Sequence, residues 1–157
     1  MLGKPLRLVC VGRIRTGYWK DAAGEYAKRI ARFRKLAVAE VRDADPSLEP
    51  ARRSAVEGER ILREIGPQDL LLAMDERGEE FSSEGFARFL DKLDRDAQGT
   101  PCFVVGGPYG LADGVRERAR RLIRLGAMTL PHELARVVLL EQIYRAECLL
   151  HRIPYHH

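Results

Sequence analysis

The sequence has few cysteines and no disulfide framework. Its three cysteines, Cys10, Cys102 and Cys148, are widely separated, and each lies in an apolar segment. An odd number at such spacing forms neither a set of paired disulfides nor a Cys-x-x-Cys metal knuckle. We therefore expect three buried thiols that pack as small hydrophobic side chains.

Long hydrophobic runs are also missing. The longest apolar segments, such as Leu70–Met74 and Val137–Leu140, are far shorter than the roughly 20 residues of a membrane-spanning helix. Residues Met1–Pro5 lead into a strand pattern without an apolar signal region or a cleavage site. With 45% hydrophobic and 32% charged residues among 157, the composition is that of a folded globular chain. We expect a cytoplasmic protein that has no membrane contact.

The common phosphate-binding, catalytic and metal motifs are missing as well. One glycine-rich turn, Gly106–Gly110, suggests dinucleotide binding. However, Val105 stands where the G-x-G-x-x-G fingerprint needs glycine. There is no P-loop and no G-x-S-x-G nucleophile elbow. The four histidines lack the matched cysteine or carboxylate spacing of a zinc site, so we predict no metal.

The sequence does contain a regular alternation of apolar strands and amphipathic helices. Strands are predicted at Leu6–Val11, Leu36–Val41, Leu70–Met74, Cys102–Val105 and Leu125–Met128. Helices are predicted at Trp19–Phe33, Ala51–Ile65, Ser83–Asp96, Asp113–Leu122 and Pro131–Leu150, with Ser83 and Asp113 as caps and a turn at Asp75–Gly78. This alternation predicts a single α/β domain over residues 1–157, with a mostly parallel sheet flanked by helices.

Two turns rich in glycine and proline lie in the last third of the chain. One covers Gly106–Gly110, and the other covers Leu125–His132. Ligands of α/β sheets bind outside the carboxyl ends of the strands, where main-chain N–H and C=O groups are free. We therefore predict a pocket built mostly from main chain for a cofactor without phosphate. S-adenosylmethionine, with an adenine, a ribose and a sulfonium, fits that description.

The last predicted helix is apolar on nearly all sides. A helix of this kind needs burial on more than one side, and a second subunit is a ready source of the extra cover. We therefore predict a homodimer. Glu141 and Arg145 are spaced four residues apart, which also predicts an ion pair within the helix.

The net charge of +4 is modest, but the arginines are clustered. The basic residues in these clusters are Arg13, Arg15, Lys28, Arg29, Arg32, Arg34, Arg116, Arg118, Arg120, Arg121 and Arg124. They fit either a surface that meets nucleic acid or solvated helix faces. Tyr18 and Trp19 beside the first cluster fit either a stacking surface for an unpaired base or aromatic packing on the core.

The last third also carries motifs of a known family. The segments that match in order and spacing are Gly106–Leu111, Met128–Val137, Glu141–Ala146 and Pro154–His156, together with Val11-Gly12 and the segment from Met74 to Gly78. Over essentially its whole length the chain resembles the small SPOUT-class enzymes of the ribosomal RNA large-subunit methyltransferase H family. The resemblance implies an α/β domain with a C-terminal trefoil knot that works as a homodimer. It also implies methyl transfer from S-adenosylmethionine to N3 of a pseudouridine in 23S rRNA within the assembled ribosome.

The resemblance further implies which residues form the cofactor pocket. These are Met74, Asp75, Gly106, Gly107, Gly126, Ala127, Met128, Thr129, Leu130 and Pro131. Glycine at 106 and 107 is expected to let the backbone approach the ligand closely. Relatives often have a small polar residue where Gly126 stands, so a side-chain hydrogen bond is lost there.

The proton on N3 of the substrate base must be removed during the reaction. His156 and His132 are the histidines within family motifs, and histidine titrates closest to neutral pH. We hypothesise that Tyr155 and His156 face the substrate base and that His156 is the general base, with Arg145 holding a phosphate or the ring carbonyls. For His132 a purely structural role at the helix start is the alternative.

Two other functions remain open from sequence. One is a SPOUT enzyme that acts on tRNA. The other is a non-catalytic RNA-binding factor in ribosome assembly that has this fold and a vacant pocket.

Overall fold

The computed structural model describes residues 3–96 and 98–155, which form five strands and five helices in alternation. The strands are β1 (Leu6–Val11), β2 (Leu36–Val41), β3 (Asp69–Glu80), β4 (Thr100–Val105) and β5 (Arg121–Arg124). The helices are α1 (Gly17–Ile30), α2 (Pro50–Glu64), α3 (Ser83–Asp96), α4 (Asp113–Arg118) and α5 (His132–Leu150).

The strands form one sheet in the order β2-β1-β4-β3-β5, and every neighbouring pair is parallel. The predicted parallel α/β architecture is therefore confirmed. All five strands point their carboxyl ends to the same edge of the sheet, which is where α/β folds place their ligands. The trefoil knot that the resemblance implies remains a prediction.

Both faces of the sheet are covered by helices, which explains the nearly continuous apolar sequence of its inner strands. Along β1, Leu8 and Cys10 face a core shared with α1, α3 and α5, whereas Val9 and Val11 face a second core shared with α2 and α4. Strand β4 alternates in the same way. The three-layer arrangement follows directly from this alternation.

The predicted boundary of β3 is wrong at its carboxyl end. We expected a strand that ends at Met74 and a turn over Asp75–Gly78, but the strand continues to Glu80. Its pairing with β5 shifts inside that segment, because Met74 and Glu79 are both opposite Ile123. A Cβ at Gly78 would lie 2.5 Å from the backbone nitrogen of Ile123, so only glycine permits this close approach.

The prediction for α4 and β5 is also wrong. Helix α4 ends at Arg118 instead of Leu122, and the strand is the basic segment Arg121–Arg124 instead of Leu125–Met128. Strand β5 lies at the sheet edge and buries only Ile123, so it needs no apolar run. The apolar segment after it is a loop, in which Met128 is 86% exposed.

The two predicted helix caps need correction. Helix α3 begins at Ser83 as predicted, but the capping oxygen is Ser82 Oγ, which accepts the N–H of Gly85 at 3.0 Å. The N-cap is the residue before the first helical one, so the prediction of Ser83 as the cap is wrong by one residue. Ser83 Oγ instead donates to Gln142 of α5. In α4 the cap is Ala112, and Asp113 pairs with Arg116.

Helix α5 has the predicted length and apolar character, and it contacts both α1 and α3. Leu139, Leu140 and Ile143 are buried within the single chain. The apolar sequence of α5 is thus explained by two helices of its own chain, and the homodimer remains a prediction. Within residues 3–96 and 98–155, no helix combines the length and apolarity needed to cross a bilayer.

The expectation for the cysteines is confirmed. Cys10, Cys102 and Cys148 are free and buried. Burial raises the pKa of the Cys10 thiol to about 12, and it does the same for Cys102. Both thiols are therefore protonated and poorly nucleophilic in the folded protein.

A buried charge cluster connects three helices on the α5 side of the sheet. Arg34, which we had grouped with surface arginines, is only 1% exposed. Its Nε donates to Glu147 of α5 at 2.5 Å, and its two terminal nitrogens donate to Asp94 of α3 at 2.9 and 2.7 Å. Arg34 follows the carboxyl end of α1, so one guanidinium connects α1, α3 and α5. The planar, five-donor shape of arginine suits this role.

Arg34→Met removes the guanidinium that pairs with both Glu147 and Asp94 in this cluster. Loss of one partner of a buried pair leaves an uncompensated charge, so we expect a decrease of about 3–5 kcal/mol in the free energy of unfolding. Urea denaturation measures it. The control is Arg95→Met, which breaks an exposed pair with Asp91 at 2.7 Å and is expected to cost under about 1 kcal/mol. Equal losses in the two variants would contradict the assignment.

Candidate functional site

A cavity of about 690 Å³ opens at the carboxyl edge of the sheet. Its wall is formed by the irregular part of β3, the turn after β4 and the loop between β5 and α5. The ten residues predicted for the cofactor pocket all line it, namely Met74, Asp75, Gly106, Gly107, Gly126, Ala127, Met128, Thr129, Leu130 and Pro131. Segments far apart in sequence thus meet at one place.

The glycine turn after β4 is held by protein atoms behind it. A Cβ at Gly107 would lie 2.6 Å from Glu57 Oε1, and a Cβ at Gly106 would lie 2.9 Å from Leu111 Cδ2. The sequence predicts that glycine here lets the backbone approach the ligand. A side chain at either position would instead point into the protein itself. The glycines therefore allow α2 and the segment before α4 to support the turn from behind.

Glu57 is the most informative residue that the sequence analysis missed. It lies in α2, is 2% exposed, and its Oε2 accepts the N–H of Ala44 at 2.9 Å. The same carboxylate therefore contacts the glycine turn and holds the loop after β2. The signal in the sequence is a charged residue on the inward face of α2, one turn before the buried Ile61.

Asp75 is placed in the cavity wall, but its carboxylate is already engaged. Oδ2 accepts from Arg116 Nε at 2.6 Å, and Oδ1 accepts the N–H of Arg77 at 2.9 Å. Arg116 belongs to α4 and also binds Asp113 at 3.1 Å. The carboxylate thus shapes the irregular part of β3 and connects it to α4. Sequence alone showed no sign of the Arg116 contact.

Two further predicted site residues, Arg145 and Tyr155, lie toward the other end of α5 and after it. The ion pair of Glu141 and Arg145 is confirmed, with 2.8 Å between Arg145 Nη2 and Glu141 Oε1. Tyr155 donates to the same carboxylate oxygen at 3.1 Å, and the Arg145 guanidinium lies 4.5 Å from the Tyr155 ring. Burial, a hydrogen bond with Tyr26 and the charge of Glu141 raise the pKa of Tyr155. Its phenol is therefore a neutral donor near pH 7.

These residues are separated from the cavity within one chain. His132, at the first position of α5, lines the cavity. At about 1.5 Å of rise per residue, Arg145 lies about 20 Å further along the helix axis. The structure therefore does not bring Arg145 and Tyr155 together with the cofactor loops of the same chain. His156 lies outside the described residues.

The two aromatic residues in the first turn of α1, Tyr18 and Trp19, differ in which of the two considered roles they fit. Tyr18 is 68% exposed, whereas Trp19 is half-buried and packs against the core. Their rings form an edge-to-face pair with 4.9 Å between centroids. Core packing is thus shown for Trp19. The structure leaves the Tyr18 ring accessible.

Within the described parts of the chain, no group of three or more His, Cys, Asp or Glu side chains is arranged to hold a metal ion. The cavity is lined by apolar side chains and glycines, together with the polar side chains of Asp75, Glu76, Arg124, Thr129 and His132.

Comparison with known proteins gives relatives along the full chain. A protein of Desulfovibrio desulfuricans named "Ribosomal RNA large subunit methyltransferase H" is 56% identical over 157 residues and is covered completely by the alignment, as is this chain. A protein of the same name from Nitratidesulfovibrio vulgaris is 51% identical over 98% of this chain and 99% of its own length.

A solved structure shares the fold at low identity. It is a ribosomal RNA small subunit methyltransferase E from Neisseria gonorrhoeae bound to S-adenosyl methionine, with a TM-score of 0.51 and 16% identity. The match covers 92% of this chain, which spans 66% of that longer one.

The family described as "Predicted SPOUT methyltransferase" matches residues 5–156. The resemblance drawn from the glycine turn, the loop before α5 and the C-terminal motifs is thereby confirmed. This family match and the identities above 50% over the full chain show that the protein belongs to the SPOUT methyltransferases.

Proposed function

We propose that this SPOUT methyltransferase transfers the methyl group of S-adenosylmethionine to N3 of a pseudouridine in the 23S rRNA of the assembled ribosome. The observation that carries the proposal is the convergence of the irregular part of β3, the glycine turn and the loop before α5 on one cavity of about 690 Å³. The names of the relatives that are 56% and 51% identical support large-subunit rRNA as the substrate.

The cavity suits the chemistry of this methyl donor. Apolar side chains such as Val105, Ile123 and Leu130 line its wall together with the glycine turn, a combination that suits an adenine and a ribose. Glu76 adds a carboxylate to the wall, which favours a sulfonium cation, whereas Asp75 is paired with Arg116 and Arg124 with Glu80.

The donor, when bound, supplies a methyl group that is already activated by its positive sulfur. What remains for the protein is to hold donor and acceptor in line, and well-oriented reactants can save several kcal/mol of the barrier. Glu57 and Leu111 hold the glycine turn from behind, and Arg116 holds Asp75. These contacts keep the wall rigid at the place where the reactants must be aligned.

We further propose that the protein acts as a homodimer in which the C-terminal tail of one copy completes the cavity of the other. The separation of about 20 Å between the cavity and Arg145 along α5 supports this arrangement, because one chain alone leaves these two parts of the site apart. In this arrangement Tyr155 and Arg145 position the substrate base, and His156 accepts its N3 proton.

Replacement of Gly107 by alanine tests the cavity. The new Cβ, 2.6 Å from Glu57 Oε1, forces the turn or the carboxylate to move, so we expect the dissociation constant for S-adenosylmethionine to rise about tenfold or more. Calorimetry measures it. Adding Glu57→Asp shortens the obstructing side chain and is expected to restore part of the affinity. Gly114→Ala, whose Cβ would meet only Leu62 Cδ1 at 3.8 Å, is the control. Unchanged affinity in Gly107→Ala would refute the placement of the donor.

His156→Ala tests the general base. We expect kcat on large ribosomal subunits to fall about 10²- to 10⁴-fold at saturating donor, with donor affinity unchanged. Tyr155→Phe, which keeps the ring and removes the donor to Glu141, is expected to have a much smaller effect on kcat. Full activity of His156→Ala would rule out the base assignment.

Mass spectrometry of RNA from cells that lack this protein tests the substrate. We expect large-subunit RNA to lose one methyl group on one pseudouridine and to regain it when purified protein and donor are added to intact ribosomes. Loss of a methyl group from tRNA instead would favour the tRNA enzyme. Unchanged RNA together with no calorimetric heat for S-adenosylmethionine would favour the non-catalytic assembly factor.

A further inference from the structure

A second opening adjoins the proposed donor cavity on the side of β1 and β2. It consists of a pocket of about 170 Å³ that continues into a groove of about 820 Å³. The two parts share Gly12, Arg13, Arg15 and Asp43. The pocket also shares Pro108 and His132 with the donor cavity, so the two openings are adjacent. We call the pocket and groove together the arginine channel.

Local sequence explains why the channel lies here. Val11 ends β1, and Gly12 follows with φ of +77° and donates its N–H to Val41 at the end of β2. The chain then turns outward with Arg13 and Arg15 exposed. Glu133 at the start of α5 accepts the N–H of Arg15 at 2.7 Å, which fixes this turn beside the donor cavity.

The carboxylates of the channel are already bound by other groups. Glu40 accepts from Arg136 at 2.7 Å, and Asp43 pairs with Arg15 at 3.3 Å. Asp45 accepts the N–H of Ser47 at 2.9 Å, and hydrogen bonding with Ser47 lowers its pKa. Glu40 and Asp43 are thus neutralised by arginines, whereas Asp45 keeps its charge and interacts electrostatically with Arg53.

Two arginines of the pocket form no ion pair and no hydrogen bond with a carboxylate among residues 3–96 and 98–155. Arg13 is exposed and forms no ion pair there. Arg53 lies with its guanidinium 5.1 Å from the centre of the Tyr109 ring, and its Nε is buried without a hydrogen-bond partner among the described residues. A buried donor that is left unsatisfied costs about 1–3 kcal/mol. An anion in the pocket would remove that cost.

The chemistry of the channel points to phosphate. Arginine matches phosphate oxygens in a planar two-pronged geometry. The proposed methyl donor carries no phosphate and occupies the adjoining cavity, so the arginines are not needed for it. A polyanion that passes through the channel would instead run beside the donor cavity at Pro108 and His132.

We propose that the arginine channel binds the phosphodiester backbone of the substrate RNA beside the target base, with Arg13 and Arg53 as phosphate contacts. This inference rests on the proposed function and adds the surface that guides the RNA to the site. Each phosphate contact displaces counterions, so it raises the salt dependence of binding.

The test compares Arg13→Gln, Arg53→Gln and the double variant with the unchanged protein. The control is Arg63→Gln, which removes the same charge from α2 at an exposed position outside the channel. Binding to large ribosomal subunits from cells that lack the protein is measured over a range of salt concentrations. Each contact contributes roughly 0.7–0.9 to the slope of log K against log salt, so we expect the double variant to lose about 1.5.

Two further measurements separate binding of RNA from general damage. In the double variant the affinity for S-adenosylmethionine and the thermal midpoint are expected to stay unchanged, whereas the affinity for subunits falls roughly tenfold or more at 0.1 M salt. The Arg63→Gln control is expected to keep the wild-type slope. An unchanged slope in the double variant, or an equal loss in the control, would overturn the proposal.

Binding is measured independently of methyl transfer, so the two proposals fail separately. Salt-sensitive binding that depends on Arg13 and Arg53 without any methylation would keep the channel and reject the enzymatic function. Methylation with wild-type kinetics in the double variant would keep the enzymatic function and reject the channel. If the variants lose affinity for intact subunits but not for protein-free 23S rRNA, the channel binds a ribosomal protein and the proposal is wrong.

Discussion

The contact on which the helical layer depends is the buried guanidinium of Arg34. One planar group binds Asp94 of α3 and Glu147 of α5 directly after the end of α1, in a place from which solvent is excluded. Burial raises the pKa of Glu147, and the charge of Arg34 opposes that shift. Helix α5 is therefore fixed at its carboxyl-terminal half by charge and along its length by apolar packing. These contacts also fix the position of its first turn, which borders the donor cavity.

Sequence patterns predicted the fold where burial dominates. The inner strands β1 and β4 are apolar because both of their faces are covered, and β1 was placed to the residue. Prediction failed where burial is slight or where a contact is long-range. Strand β5 buries only Ile123, whereas the apolar loop after it faces a cavity instead of a core. The partners of Arg34 lie 60 and 113 positions away, a distance that no local pattern can show.

The candidate site shows the same division. The loops that line the donor cavity were identified from motifs, because glycine and proline at strand ends have a local signature. The residues that hold those loops were not identified, since Glu57 and Arg116 reach them from other helices. Arg145 and Tyr155 were placed in one site with the loops, but in the single chain they form a separate cluster with Glu141. Sequence thus identified the segments of the site but not how far apart they lie in the folded chain.

The charges on β5 have a consequence for how two copies of this chain can associate. As an outer strand, β5 has one side without a neighbour, a position that invites another strand to add on. Arg121 and Arg124 pair there with Glu79 and Glu80, and a new strand would have to desolvate these ions. Extension of the sheet across two molecules is thereby disfavoured. This protection applies to the β5 edge, whereas the opposite edge strand, β2, exposes Val38.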